Sequence, residues 1–124
     1  MGAVGGQIII NAGQSASSSA YGKLAHALAL AIRLPAGFQG AVGVRTSLDG
    51  QGAGEPLYYQ AASGAWVKVQ IDPAGITLPA WFLLPVEISP GDYVHLSSFT
   101  DATEVAPQAQ ADDRTIRVMG IAPD

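Results

Sequence analysis

The stretch LAHALALAIRL, residues 24–34, decides whether the chain forms helices or strands. Its high content of Leu and Ala, with no Gly or Pro, is favourable for a helix. Such a helix would be apolar on every side and would need complete burial, and the chain has no second convincing helix to bury it. As a strand, the stretch places large side chains at alternate positions and mostly Ala between them. This sorting by size predicts a strand over 24–34, packed on both faces and ended by Pro35.

The rest of the chain divides into short alternating segments separated by turn residues. Val42, Val44 and Thr46 alternate with Gly43 and Arg45, and the run ends at the turn-forming Asp-Gly pair. Further strand patterns cover residues 7–10, 57–60, 66–71, 93–99 and 115–121. A proline interrupts the apolar run 81–88, which predicts an edge strand or a loop. We therefore predict an all-β fold, an antiparallel β-sandwich or jelly-roll-like arrangement of roughly seven to eight short strands.

The length of 124 residues is that of one domain with one core. No internal repeat or linker divides the sequence, so residues 1–124 are expected to form a single β-sandwich domain. Residues 1–20 combine a β-branched run with the polar stretch QSASSS, which predicts an arm-like N-terminal strand followed by a polar turn.

Composition excludes several classes of protein. The chain has no Cys, which rules out disulfides and thiolate metal sites. The net charge is −4 and the six basic residues are scattered, so we expect no nucleic-acid partner. The apolar runs are far shorter than the roughly 20 residues of a membrane helix, and the first residues lack a secretory signal pattern, so we expect no membrane association.

The share of charged residues is unusually low. It is 13%, about half of the usual value, whereas apolar residues make up 48% of the chain. A small domain has a large surface, which charged residues normally keep dispersed. The composition therefore indicates that part of the surface lies against protein partners. A surface that is rich in Gly, Ala and Ser is the alternative interpretation.

No residue pattern predicts a catalytic or metal site. His26 and His95 lie in apolar strand patterns without the spacing of a metal-binding pair, so we interpret both as structural. GQSAS at 13–17 lacks the second glycine of a nucleophile elbow. GQGAGE at 50–55 has neither the lysine of a phosphate loop nor the alternating acidic ligands of a calcium loop. We therefore expect no enzymatic activity, no cofactor and no bound metal.

Aromatic side chains are the candidate binding residues: Tyr58, Tyr59, Trp66, Trp81 and Phe82. Exposed aromatics on one face of a β-sandwich stack on sugar rings in carbohydrate-binding modules. Large aromatics in a small domain are more often core residues or anchors of protein interfaces. Exposure of both Trp residues on one flat face would favour sugar binding. Burial, or a place at a subunit contact, would favour the other interpretation.

Three long segments carry a specific order of strand ends and turns. RLPAGFQGAVGVRTSLDG has a Leu-Pro strand end and then Ser-x-Asp-Gly, and EPLYYQAASGAWVKV has Leu-Tyr with a Gly-containing hairpin. YVHLSSFTDATEVAPQAQADDRTIRVM has a Tyr-x-x-Leu strand and a Gln-x-x-x-Arg-x-Ile ending. This order, with the opening IIINAGQSAS, resembles small β-sandwich structural proteins of tailed bacteriophages. The group commonly has basic residues after Tyr93, where this sequence has His95, Ser97 and Ser98.

The resemblance implies a non-enzymatic viral protein of the virion, with a capsid decoration or cement protein that binds the major capsid protein as the leading interpretation. It implies a location on the capsid surface after assembly in the host cytoplasm. Separately, the flat Ala-lined face of the 24–34 strand and the low charge predict a symmetric homo-oligomer with mainly apolar contacts. The resemblance implies that this oligomer is a trimer at three-fold positions of the lattice. A neck, tail or baseplate component, or a carbohydrate-binding module for host attachment, are the alternatives.

Overall fold

The computed structural model describes residues 3–17, 28–52, 54–85 and 93–121. Within these ranges the chain forms ten strands and no helix, and all strand pairs are antiparallel. The all-β, antiparallel sandwich-like fold predicted from the sequence is therefore confirmed. The strands are β1 (Ala3–Ile10), β2 (Ala29–Leu34), β3 (Ala41–Ser47), β4 (Glu55–Pro56), β5 (Tyr58–Gln60), β6 (Trp66–Lys68), β7 (Gln70–Ile71), β8 (Ala80–Leu84), β9 (Tyr93–Phe99) and β10 (Arg114–Ile121).

Two sheets form the sandwich. The first sheet has the order β1-β10-β2-β8. In the second sheet, β3 pairs with β9 along one edge and with β4 and β7 along the other. The remaining strands, β5 and β6, pair only with each other and form a hairpin that extends from the second sheet.

The base of this hairpin explains why the strands outnumber the prediction. At this point the N–H of Leu57 donates to the carbonyl of Val44, the N–H of Val44 to that of Val69, and the N–H of Val69 to that of Leu57. The three residues thus form a closed ring of hydrogen bonds. Before the hairpin β4 pairs with β3, and after it β7 pairs with β3, whereas within the hairpin β5 and β6 pair with each other. The predicted strand 66–71 is consequently divided into β6 and β7, whereas the predicted strand 57–60 corresponds to β5 and is preceded by the separate strand β4.

The core lies between the two sheets and consists of β-branched and Leu side chains. From the first sheet it takes Ile8, Ile10, Leu30, Ile32, Leu34, Ile116 and Val118, all of which are fully buried. From the second sheet and its edge it takes Val42, Val44, Val69, Ile71, Val94 and Leu96. Side chains alternate along a strand, so the same pattern leaves the other side of each strand facing outward.

Strand β2 confirms the strand predicted for LAHALALAIRL over residues 29–34. Leu30, Ile32 and Leu34 point inward and are fully buried, whereas Ala29 and Ala31 point outward and are half-buried. Leu28, a large residue of the predicted strand, precedes β2 and is 47% exposed. Residues 24–27, which include His26, lie outside the described residues. The small outward side chains were expected to pack beneath a further layer. Among the described residues, no layer covers this side of β2.

The first sheet ends at β8, as the proline in the 81–88 run predicts. The strand stops at Leu84, directly before Pro85, and pairs only with β2. Residues 86–88 of the predicted segment lie outside the described residues. At the other edge, β1 pairs with β10 along its whole length. In the ranges that the structure describes, no helix is long and apolar enough to span a membrane.

The buried side-chain amide of Gln110 joins two of the connections between the two sheets, the loop after β2 and the segment after β9. The Nε2 of Gln110 donates to the carbonyl of Gln39 at 2.8 Å and to the Oγ of Ser98 at 3.1 Å. Its Oε1 accepts from the N–H of Gln39 at 3.0 Å and from the Nε of Arg114 at 3.3 Å. Its backbone also bonds to both residues of the turn at 13–14. Every hydrogen-bonding position of this amide is therefore used.

Two leucines on opposite sides of the first sheet give a matched test of this packing. Leu30 is fully buried and Leu83 is 64% exposed. Leu30→Ala should lower the free energy of unfolding by about 2–5 kcal/mol because it leaves a cavity in the core. Leu83→Ala should change it by less than about 1 kcal/mol. Denaturant titration measures both values, and equal losses would contradict the assignment of the inner and outer sides.

Candidate functional site

The aromatic residues predicted as binding candidates lie in three different places. Tyr58, Tyr59 and Trp66 are exposed on the β5–β6 hairpin. Trp81 points outward from β8 and is exposed, whereas its neighbour Phe82 points inward and packs partly buried against the core. The two Trp residues are 67% and 50% exposed but belong to different sheets. The structure therefore does not bring the five aromatics into one site.

The outward side of the first sheet, called the outer face below, is a continuous surface that the strand register defines. One row across it consists of Gln7, Arg117, Arg33 and Trp81, one residue from each strand. We call this the basic row. Directly opposite residues in an antiparallel pair have Cα atoms about 4.5–5.5 Å apart, so the two guanidinium groups belong to adjacent positions.

No carboxylate of the described residues balances the charges of the basic row. Arg33 is half-buried and Arg117 is exposed, and neither has an ion pair or side-chain hydrogen bond with any described residue. By contrast, Arg114 lies 4.0 Å from Asp112. Like charges directly opposite each other destabilise a sheet. The free protein thus carries an electrostatic cost at this row.

The next rows of the outer face are apolar. Met119, Ala31 and Leu83 lie side by side, followed by Ile121 and Ala29. Leu83 is mostly exposed, and the others are half-buried. Between the basic and the apolar row is a cavity of about 360 Å³, lined by Gly6, Gln7, Trp81, Arg117 and Met119. The outer face therefore combines two positive charges with an adjoining apolar area.

The β5–β6 hairpin forms a second exposed aromatic surface. Strand pairing puts Tyr58 opposite Lys68 and Gln60 opposite Trp66, so these four side chains share one side. The other side carries Tyr59 and Val67, which line a cavity of about 200 Å³ together with Val69, Gln70, Leu84 and Pro85. The aromatics of the hairpin are thus divided between an open side and a side that borders the end of β8.

His95 and Ser47 form a buried polar pair that the sequence did not predict. The Nε2 of His95 lies 2.6 Å from the Oγ of Ser47, which also accepts the N–H of Gly50 at 3.0 Å. His95 is 1% exposed. Burial lowers its pKa, and the carboxylate of Asp49 opposes this effect only in part. The pair satisfies its own polar atoms and fixes the start of the 48–54 loop, which is a structural role.

A second buried polar group lies over Gly43. Glu104 has a left-handed φ of 57°, and its Oε1 lies 2.6 Å from where a Cβ on Gly43 would stand. Its other oxygen, Oε2, is buried without a hydrogen-bond partner among the described residues, as are Oε1 of Gln70 and Nε of Arg45. A Cβ at position 43 would therefore displace the carboxylate of Glu104.

Sequence reasoning missed the basic row and the buried pair for the same reason. Arg33 and Arg117 each interrupt an apolar alternation, which is a visible signal, but only the pairing of β2 with β10 places them together. Likewise, only the pairing of β3 with β9 brings His95 near Ser47. His95 was interpreted as structural, and its contacts agree with that role.

Comparison of the chain with protein-family models, with curated proteins and with solved structures gives no match. In the part of the chain that the structure describes, no group of three or more His, Asp and Glu side chains is placed to hold a metal ion. The outer face and the β5–β6 hairpin are the candidate binding surfaces of the described structure.

The buried His95 predicts a pH dependence of stability. The pKa of His95 is lowered in the folded state, whereas in the unfolded chain the pKa of a His is about 6.5. At a pH between these two values, the unfolded chain binds a proton at His95 and the folded chain does not. Stability is therefore complete above about pH 6.5 and falls as the pH drops toward the lowered value, by less than about 1.4 kcal/mol for each pH unit.

Thermal unfolding between pH 7.5 and 5.5 measures this dependence. His95→Gln keeps a hydrogen-bonding group beside Ser47 but cannot titrate, so its stability should vary less with pH than that of the wild type. An unchanged slope in His95→Gln would contradict the prediction.

Proposed function

We propose that the chain is a non-enzymatic structural protein of a tailed-phage virion, a capsid decoration or cement protein that binds the major capsid protein. The observation that supports this proposal is the uncovered outer face, where exposed Trp81 and Leu83 adjoin half-buried Ala31 and Met119. Contiguous apolar area of this kind on a small domain is typical of a protein–protein contact. The order of strand ends and turns that resembles phage structural proteins supports the choice of partner.

The mechanism of such a protein is mechanical. Burial of apolar surface contributes about 25 cal/mol for each Å² removed from water. A decoration protein that spans two capsid subunits adds this energy to the cost of separating them. Many copies on one lattice multiply the effect. The low charge of the chain, 13% of its residues, supports a surface that is covered in the assembled particle.

Self-association into a trimer is part of the proposal. The last row of the outer face, Ile121 and Ala29, is small and flat enough for close approach by another copy, and it leaves the Met119–Ala31–Leu83 row for the capsid. Closed symmetry buries such a surface without growth into fibres. Because these contacts are apolar, the trimer should persist at high salt, which screens only charge pairs. A neck, tail or baseplate protein would use the same chemistry with another virion partner.

Binding to capsid shells tests the proposed function. Purified protein is mixed with undecorated shells and sedimented, and its copies are counted against the major capsid protein. Leu83→Asp should abolish co-sedimentation because it places a charge in the apolar contact. Leu48→Asp is the matched control, since Leu48 is 82% exposed in the loop after β3, away from the outer face. Absence of wild-type binding would overturn the proposal, as would equal binding by both variants.

Binding of a carbohydrate is the second candidate, and the hairpin favours it. Its open side presents Tyr58 and Trp66 beside the polar Gln60, a combination that can stack on a sugar ring and bond its hydroxyls. If this function is correct, soluble host glycans should quench the fluorescence of Trp66, and Trp66→Ala should remove the response. Trp81→Phe, which changes the other Trp, is the control. No quenching of the wild type would exclude this candidate.

A further inference from the structure

The basic row of the outer face points to the chemistry of the partner. We propose that Arg33 and Arg117 bind carboxylates of an acidic protein segment, whose apolar residues lie on the adjoining Met119–Ala31–Leu83 row. This inference rests on the proposed function, under which the segment belongs to the major capsid protein. It adds which groups of that partner are recognised and where they dock.

Charge complementarity is the first reason for this assignment. The chain has ten acidic and six basic residues, yet two of its arginines occupy directly opposite positions with no carboxylate beside them in the described structure. Their mutual repulsion destabilises the free protein, and a partner that supplies carboxylates removes this cost on binding. Guanidinium groups also bind carboxylates through two parallel hydrogen bonds, which fixes orientation.

The surroundings of the two arginines favour a protein segment over other anions. Trp81 stands at one end of the row and Met119 borders it, so a ligand there meets apolar side chains as well as charge. Two positive groups on a chain of net charge −4 are too few to hold a phosphate polymer. An acidic segment with apolar neighbours matches both parts of the surface.

The basic row would also orient the contact. Apolar surfaces attract each other in many relative positions, whereas paired charges allow few. The apolar rows therefore supply most of the burial, and Arg33 and Arg117 select the register in which this burial occurs. The assembly is then expected to respond to salt in its binding to shells but not in its self-association.

Two variants that each remove one positive charge test the inference. Arg117→Gln should weaken binding to purified shells about tenfold and reduce the dependence of that binding on NaCl. Its melting temperature should stay the same or rise, because the repulsion with Arg33 is relieved. Lys68→Gln, in the hairpin, should bind like the wild type at every salt concentration.

Each outcome decides the inference. Equal binding and equal salt dependence of Arg117→Gln and the wild type would overturn it while leaving the proposed function intact. Wild-type protein that does not bind shells would overturn both. If Arg117→Gln and the double variant Asp112→Asn/Asp113→Asn each dissociate the free protein in light scattering, the row binds the acidic loop of a second copy, which also contradicts the inference.

Discussion

The sandwich depends on the hydrogen bonds of the buried side-chain amide of Gln110, all of whose donor and acceptor positions are used. The chain changes sheet four times, and two of these crossings are the loop after β2, which contains Gln39, and the connection after β9, which contains Gln110. The amide joins these two crossings, and the backbone beside it holds the turn after β1. A buried amide with every bond made stabilises one arrangement, because any other arrangement leaves several polar groups unpaired.

Each strand of the first sheet has an inner side that lies in the core and an outer side that no described residue covers. The large residues of β2 fill the core, and the Ala residues between them keep the outer face flat. On β10, Met119 and Arg117 occupy the corresponding outward positions. The large side chains are thus buried on the inner side, and no described residue covers the apolar and charged parts of the outer face.

The sequence predicted what depends on neighbours along the chain and missed what depends on neighbours across it. Alternation of large and small side chains was sufficient to predict β2, and the proline after Leu84 indicated an edge strand or a loop, of which the structure has the edge strand. The opposition of Arg33 to Arg117 and the contact of His95 with Ser47 depend on register between distant strands, which local pattern does not determine. For the same reason, Trp66 and Trp81 were considered together although they lie on different sheets.

Hydroxyl-radical footprinting of the protein, free and bound to capsid shells, tests most directly whether the outer face is the docking surface. Radicals modify exposed aromatic, Leu and Met side chains, and the chain offers such residues on both candidate surfaces. In the protein bound to shells, Trp81, Leu83 and Met119 should be protected from oxidation, while Trp66 should remain as reactive as in the free protein. Protection of Trp66 with Trp81 unchanged would contradict the account and place the contact on the hairpin.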